Sequence, residues 1–166
     1  MSRIMFVTMA VAGALVLGIG SAQAQQTRTE QNISLAIAGE LAAAAVAECQ
    51  TKGYAVTATV VDRAGQVKAV YRADGAGPHT LDSSRRKAYT AASMRSNTTA
   101  LFEISQKTPG AQNLGQIDGF LLLGGGMPVR AGSEVIGAIG VGGSPGGQFD
   151  DQCAQAALDK IKNRLN

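Results

Sequence analysis

The stretch that decides the fold runs from Val60 to Arg95 and reads VVDRAGQVKAVYRADGAGPHTLDSSRRKAYTAASMR. Its first two residues end a predicted strand, and residues 62–65, Asp-Arg-Ala-Gly, are typical of a type I turn with glycine in the left-handed position. Alternation of apolar and polar residues then predicts a second strand that ends at Arg72. A glycine-rich loop follows, and a helix is predicted to begin just after His79. This stretch therefore predicts a β-hairpin followed by a helix.

The rest of the chain extends this pattern in both directions. Ser34 suits the N-cap of a first helix that continues to Lys52, and Gly53 suits its end. The other predicted elements are a strand at 54–61, a helix from Asn97, Thr98 or Thr99 to Gln106, strands at 120–123, 127–130 and 134–141, and a last helix capped by Asp150 or Asp151 and ending near Leu165. Five short strands joined largely by hairpins predict an α+β domain with a mainly antiparallel sheet, one face of which the N- and C-terminal helices cover.

The N-terminus has the three parts of a secretory signal peptide. A short basic head is followed by the uncharged apolar segment 4–19 and by Ala22-Gln23-Ala24, a small-x-small cleavage signal. The apolar segment has about 16 residues, whereas a membrane span needs about 20. We therefore expect residues 1–24 to be a signal peptide, 25–33 a leader and 34–166 the domain. In a bacterium the mature protein would be periplasmic or secreted, without stable membrane insertion.

Charge and glycine content argue against nucleic acid and nucleotide binding. The net charge is only +3, from 15 basic and 12 acidic residues, and the basic residues are scattered apart from Arg85-Arg86-Lys87. Three consecutive cations on a helix point in different directions, so we expect a solvated face there. The glycine runs at 124–126 and 140–147 lack the lysine of a P-loop and the register of a dinucleotide fingerprint. Turn geometry accounts for them better.

His79 is the only histidine in the chain and the clearest candidate ligand. A neutral imidazole at the start of a helix, after a flexible Gly-Ala-Gly-Pro turn, can bind a metal or a haem iron. The alternative is a surface or capping histidine, because one histidine makes no cluster. Residue type and position alone leave both readings open.

Arg72 and Asp74 lie at the start of the same loop. Together they could hold a carboxylate, or they could form a local ion pair that fixes the loop. Tyr71 and Tyr89 are near in sequence, but both lie in apolar stripes and are expected in the core. The sequence therefore predicts a polar loop around His79 without defining its ligand.

The two cysteines, Cys49 and Cys153, lie on the inner faces of the first and last predicted helices. Both helices are predicted to cover the same face of the sheet, and antiparallel pairing would bring the end of one beside the start of the other. An oxidising compartment would then allow a disulfide. The alternative is two buried free thiols, and the bridge is the favoured interpretation.

Five motifs resemble the GlcG/HbpS-like family, also called the haem-degrading or haem-binding domain family. They are VVDRAG at 60–65, RADGAGPHT at 72–80, RRKAYTA at 85–91, GGGMPV at 124–129 and GAIGVGG at 137–143. The resemblance covers about residues 34–165. It implies a compact α+β domain with a profilin- or PAS-like sheet, assembly into homo-oligomers, often octamers, and non-covalent haem binding. It also implies that Thr98, within Asn97-Thr98-Thr99, lies near the pocket.

The resemblance implies an exported haem-binding protein for haem handling or redox sensing, non-enzymatic or with slow haem-degrading activity. The expected haem-binding residues are His79, which would be the iron ligand, with Arg72, Tyr71 and Thr98. Apolar walls are expected from Tyr71, Met94, Phe102 and Met127. The alternative is an enzyme or accessory protein that acts on a small carboxylate such as a 2-hydroxy acid, bound by Arg72 and Lys87. A purely structural oligomer is the third hypothesis.

Overall fold

The computed structural model describes residues 27–165, so the predicted signal peptide lies outside the described residues. Four helices and four strands form the described part of the chain, together with short 3-10 turns. They are α1 (Leu35–Thr51), β1 (Thr57–Asp62), β2 (Val67–Arg72), α2 (Thr80–Met94), α3 (Thr98–Lys107), β3 (Gly126–Ala131), β4 (Glu134–Gly142) and α4 (Gly147–Ile161). Between residues 27 and 165, no helix has both the length and the apolar character needed to cross a membrane.

The sheet is antiparallel throughout, in the order β2-β1-β4-β3. The hairpin predicted from the opening stretch is confirmed, and Gly65 closes its turn at a φ of 78°, in the left-handed region that favours glycine. Strand β1 lies in the centre, where Val60 pairs with Ala69 on one side and with Ile139 on the other. Strands β2 and β3 form the two edges of the sheet.

The fifth strand predicted at 120–123 is wrong, because this segment is irregular in the structure. Its backbone groups bond to side chains of α2 instead of to a neighbouring strand. The Leu121 N–H donates to Thr90 Oγ1 at 2.9 Å, and the Phe120 carbonyl accepts from the Arg86 guanidinium. Helix α2 thus satisfies the polar groups that a strand would have paired within the sheet.

One face of the sheet is covered by α1 and α4, as predicted. Ser34 caps α1, since its Oγ accepts from the Ile37 N–H at 3.3 Å. Small side chains let α1 lie close to its neighbours, and the buried residues of this helix are Ala38, Leu41, Ala42, Ala45, Val46 and Cys49. The predicted disulfide is confirmed: Cys49 is bonded to Cys153, with their Cα atoms 5.4 Å apart. Ile33 joins this core and donates its N–H to the Ile136 carbonyl at 2.9 Å.

Helix α2 covers the opposite face, which makes the domain three-layered. It approaches β4 so closely that a Cβ added to Gly140 would lie 2.0 Å from the Ser84 carbonyl oxygen. Two hydroxyl pairs fix α2 over β1: Thr57 with Thr80 at 2.6 Å, and Thr59 with Ser84 at 2.7 Å. The start of α2, and with it His79, is thereby held against the sheet.

The last helix begins earlier than predicted, at Gly147, with Gly146 as its N-cap. Asp150 and Asp151 therefore lie in its first turns and are not caps, which corrects the sequence interpretation. Both carboxylates instead accept hydrogen bonds from groups outside the helix, Asp150 from Lys87 and Asp151 from Gly125.

Candidate functional site

His79 lies at the N-cap of α2 with an exposed side chain that makes no capping hydrogen bond. Its ring packs over Gly77, where an added Cβ would lie 2.8 Å from the imidazole Cε1. The turn beneath it is fixed by Thr80, whose Oγ1 donates to the Gly77 carbonyl at 2.6 Å. The capping reading is therefore wrong for this side chain, and the imidazole is accessible from solvent.

Arg72 lies at the end of β2, close to the loop that carries His79. Its guanidinium donates to the Ala76 carbonyl, so it is this loop carbonyl that holds Arg72. A guanidinium has five N–H donors, and one such bond leaves donors that can meet an anion. Arg72 and His79 are thus brought to the same end of the molecule.

Tyr71 lies on the other face of the sheet from Arg72. It pairs with Ala58, which belongs to the core beneath α1 and α4, whereas Arg72 pairs with Thr57, which faces α2. Side chains of consecutive strand residues point to opposite faces. Tyr71 is also exposed, so its predicted place in the core is wrong. Tyr89 is half-buried and lies against Gly65 and Gly119.

Thr98 lies at the opposite edge of the sheet from Arg72. Its Oγ1 donates to the Leu123 carbonyl at 2.7 Å and accepts from the Gly126 N–H at 2.9 Å. Gly126 begins β3, which is three strand positions from β2, or about 14 Å at the usual strand spacing. The structure therefore places Arg72 and His79 at the same loop but does not bring Tyr71 or Thr98 to them.

The apolar walls predicted near His79 are wrong in position. Met94 ends α2, about 22 Å from His79 by the rise of an α-helix. Met127 packs against the core of the α1 and α4 face, and Phe102 is exposed on α3. The nearest apolar side chains to His79 must come from other residues.

Lys87 is buried, contrary to the expectation of a solvated face. Only 1% of the residue is exposed, and its Nζ donates to Asp150 Oδ2 at 2.8 Å and to the Val141 carbonyl at 2.9 Å. The predicted partnership of Lys87 with Arg72 on a small carboxylate is therefore wrong, because the Lys87 ammonium already has internal partners. No local pattern marks this pair; the one indirect signal is the small-residue strand at 137–143, which allows a helix to approach closely.

Asp150 is the anionic partner and is itself 2% exposed. Burial raises the pKa of the Asp150 carboxyl above its usual value, while the Lys87 ammonium and the Ser144 N–H partly oppose that rise. The neighbouring Asp151 accepts from the Gly125 N–H at 2.6 Å and from the Thr99 hydroxyl. The two carboxylates join α4 to α2, α3 and the glycine run at 124–126. They form a structural network, and we assign it no ligand.

Four surface cavities of about 240–320 Å³ lie elsewhere on the molecule. They are lined by the chain before α1, the β1–β2 turn, β3 and α4. His79, Arg72, Tyr71 and Thr98 line none of these four. His79 and Arg72 are both exposed to solvent.

Comparison with known proteins identifies the family. The model of the family described as "Haem degrading protein HbpS-like" matches residues 33–159, so the chain belongs to the HbpS-like family. It is 37% identical over 131 residues to an uncharacterized 15.0 kDa protein from the dhaT-dhaS intergenic region of Citrobacter freundii, which covers 76% of this chain and 90% of that protein.

Two solved structures extend this comparison. A double mutant of HbpS from Streptomyces reticuli is 36% identical, with a TM-score of 0.78 over 90% of this chain and 98% of that chain. A PduOC:Heme complex is 25% identical, with a TM-score of 0.70 over 78% of this chain and 95% of that chain. The family resemblance found in the sequence is thereby confirmed.

Proposed function

We propose that the protein binds haem non-covalently, for haem handling or redox sensing. The observation that carries this proposal is membership of the HbpS-like family, one of whose structural relatives is a haem complex. The residues near the start of α2 fit the group: an exposed imidazole can bind iron, and a guanidinium can pair with a propionate. His79 and Arg72 are the side chains that supply these functions.

A haem titration followed by the Soret band tests this function. The His79→Ala variant should bind haem about tenfold more weakly, since one iron ligand is lost. Gln148→Ala is the matched control, because Gln148 is also an exposed polar residue at a helix start. Absence of any Soret shift in the wild-type protein would overturn haem binding, whereas equal titrations for wild type and His79→Ala would remove only His79 as the ligand.

The family description also raises haem degradation as an activity. It predicts a slow loss of the Soret band when the haem-loaded protein receives a reductant in the presence of dioxygen, which ring opening consumes, and a stable spectrum under these conditions would contradict it. The alternative function is action on a small carboxylate. Of the two residues predicted to bind that carboxylate, only Arg72 remains available. Thermal stabilisation by small 2-hydroxy acids would support it.

Export to the periplasm or beyond the cell is part of the proposal. The signal-peptide pattern at 1–24 supports it, and so does the Cys49–Cys153 disulfide, since disulfides persist in oxidising compartments. A mature N-terminus at Gln25 in the periplasmic or secreted fraction is the expected result. Recovery of the protein with residues 1–24 attached would contradict it.

Assembly into a homo-oligomer, with an octamer as the expected form, rests on the family resemblance. An apolar surface shared between subunits would account for exposed apolar side chains such as Leu35, Ile117 and Leu123. Light scattering at micromolar concentration should give a mass several times that of one chain. A monomer mass would contradict this expectation.

A further inference from the structure

One face of the edge strand β2 is left uncovered by the fold. Helix α1 packs on one face of β2, whereas α2 lies over β1, β4 and β3 on the other side of the sheet. Arg72 and Val70 pair with Thr57 and Thr59, whose hydroxyls bond to α2. Directly paired residues in an antiparallel ladder share a face. Val70 and Arg72 therefore point to the side of α2 but lie beyond its reach.

Val67 completes this uncovered strand face. It pairs with Val61, which packs against Ala88 and Ala91 of α2. Val67 is 47% exposed and Val70 is 44% exposed. The uncovered face of β2 thus exposes two valines and one arginine. They form the base of an open step in the surface, between β2 and the side of α2.

One flank of α2 forms the wall of this step. Ser83 lies close to Gly142 and Lys87 reaches Asp150, so the flank that carries them faces β4 and α4. The opposite flank therefore faces β2. Residues four apart on a helix share a flank, which here places Leu81, Arg85 and Tyr89 in one row.

Tyr89 confirms the direction of this row. A Cβ added to Gly65, in the β1–β2 turn, would lie 2.7 Å from Tyr89 Cδ2. Leu81 is 47% exposed at the other end of the row, next to His79. We name the step the β2 shelf, formed by Val67, Val70, Arg72, Leu81 and Arg85.

We propose that the β2 shelf is the surface on which haem binds, an inference that rests on the proposed function. Haem is a flat apolar plate with two carboxylates and an iron that takes an axial ligand. The shelf offers apolar contact from Val67 and Val70 on β2 and from Leu81 on α2. Arg72 and Arg85 supply its cations. His79 lies at the end of the shelf, immediately before α2 begins.

Both arginines can exchange their present contacts for a propionate. Arg85 bonds to Asp82 at 2.9 Å, and both side chains of this pair are about half exposed (45% and 62%). Exposed pairs of this kind are weak. Arg72 holds the Ala76 carbonyl and keeps further donors. Charge and apolar surface therefore coincide on the shelf in the combination that a dicarboxylate plate requires.

The other sheet edge also has arginines beside apolar side chains, Arg95 and Arg130, but the only histidine of the chain, His79, lies elsewhere, at the start of α2. Strand β3 contains Pro128 and is contacted by α2, α3 and α4. Helix α3 exposes Phe102 and Ile104, but these flank the acidic Glu103. The exposed apolar residues of α3 therefore serve as controls for the shelf.

Charge insertion tests the shelf. Val70→Glu and Leu81→Glu should each weaken haem binding at least about tenfold, because a carboxylate would face the apolar plate and repel its propionates. Ile104→Glu, at an equally exposed apolar position (46%), should leave the titration unchanged. Circular dichroism and thermal midpoints would show that all three variants are folded.

The outcomes separate the shelf from the proposed function. A wild-type protein that binds haem, with Val70→Glu and Leu81→Glu titrating like Ile104→Glu, would overturn the shelf and leave haem binding intact. A wild-type protein without any Soret shift would overturn both. If a variant fails to fold, the remaining variant and the exchange experiment below decide the matter.

Amide hydrogen exchange on the wild-type protein gives a second test without substitution. Adding haem should slow exchange at 67–72 and 79–85. Protection at 126–131 instead would overturn the shelf. Protection of 67–72 that rises with protein concentration without haem would show a second copy on the shelf, which would also overturn it.

Discussion

The two faces of the sheet are built by different means. The face beneath α1 and α4 is apolar and carries the Cys49–Cys153 disulfide. The face beneath α2 has a small apolar cluster. Beside it lie two hydroxyl pairs, the close contact of α2 with Gly140 and the Lys87–Asp150 ion pair. The first face supplies stability, whereas the second positions α2 and therefore His79.

The interactions on the two faces differ in how strongly their energy depends on direction. Apolar burial is non-directional, so the α1 and α4 face stabilises the fold mainly through the apolar area that it buries. Hydrogen-bonded pairs and a backbone contact at van der Waals distance admit one position of the helix. Only the second kind of interface can hold the start of α2, where the candidate haem ligand lies, at a defined place over the sheet.

Removing the disulfide should give the largest loss of stability. Loop closure over 104 residues predicts that the Cys49→Ala, Cys153→Ala double variant loses about 4–5 kcal/mol of unfolding free energy. Urea unfolding measures this loss, and reduced wild-type protein is the matched control. A double variant with the wild-type midpoint would show that the apolar face does not depend on the bridge.

Breaking the ion pair should come next. Lys87→Met leaves the buried Asp150 carboxylate without its partner and should cost about 3 kcal/mol. Lys107→Met, at an exposed lysine on α3, should cost less than about 0.5 kcal/mol. The Lys87→Met, Asp150→Leu double variant should recover part of the loss. A single variant as stable as Lys107→Met would contradict a positioning role for the pair.

Adding a side chain at Gly140 should lower the free energy of unfolding by a smaller amount. Gly140→Ala places a Cβ against the Ser84 carbonyl and should cost about 1–3 kcal/mol, because α2 must move off β4. Gly39→Ala in α1, where nothing lies within 4 Å of the added Cβ, should instead stabilise by about 0.5–1 kcal/mol. Shifts of the thermal midpoint in opposite directions for the two variants would support the contrast between the faces. Shifts in the same direction would contradict it.

The smallest expected effect is the pH dependence of the Asp150 contribution. Because the folded-state pKa of Asp150 is raised, its contribution to stability is fully present below the unfolded value of about 3.9 and is lost as pH rises through the folded pKa. The stability of wild type minus that of Asp150→Asn should therefore be larger near pH 4 than at neutral pH. A difference that grows with pH would mean that Lys87 and Ser144 outweigh burial.

Much of the fold followed from local patterns. The hairpin at 57–72, the helices α1 to α4 and the strands β3 and β4 all have periodicity or turn residues that act within a few positions. The segment 120–123 misled this reasoning, because a short apolar run does not reveal whether its backbone will pair with a strand or with side chains. The side chains of α2 made that choice.

Local sequence patterns were enough to predict the two terminal helices, the inner positions of Cys49 and Cys153 and the place of His79 just before α2. These depend on periodicity and on residue type near one point of the chain. The contact of Lys87 with Asp150, 63 residues away, and the separation of Tyr71 and Thr98 from Arg72 were visible only in the folded molecule. Such relations depend on strand order and helix placement, which sum many weak long-range contacts that no local pattern records.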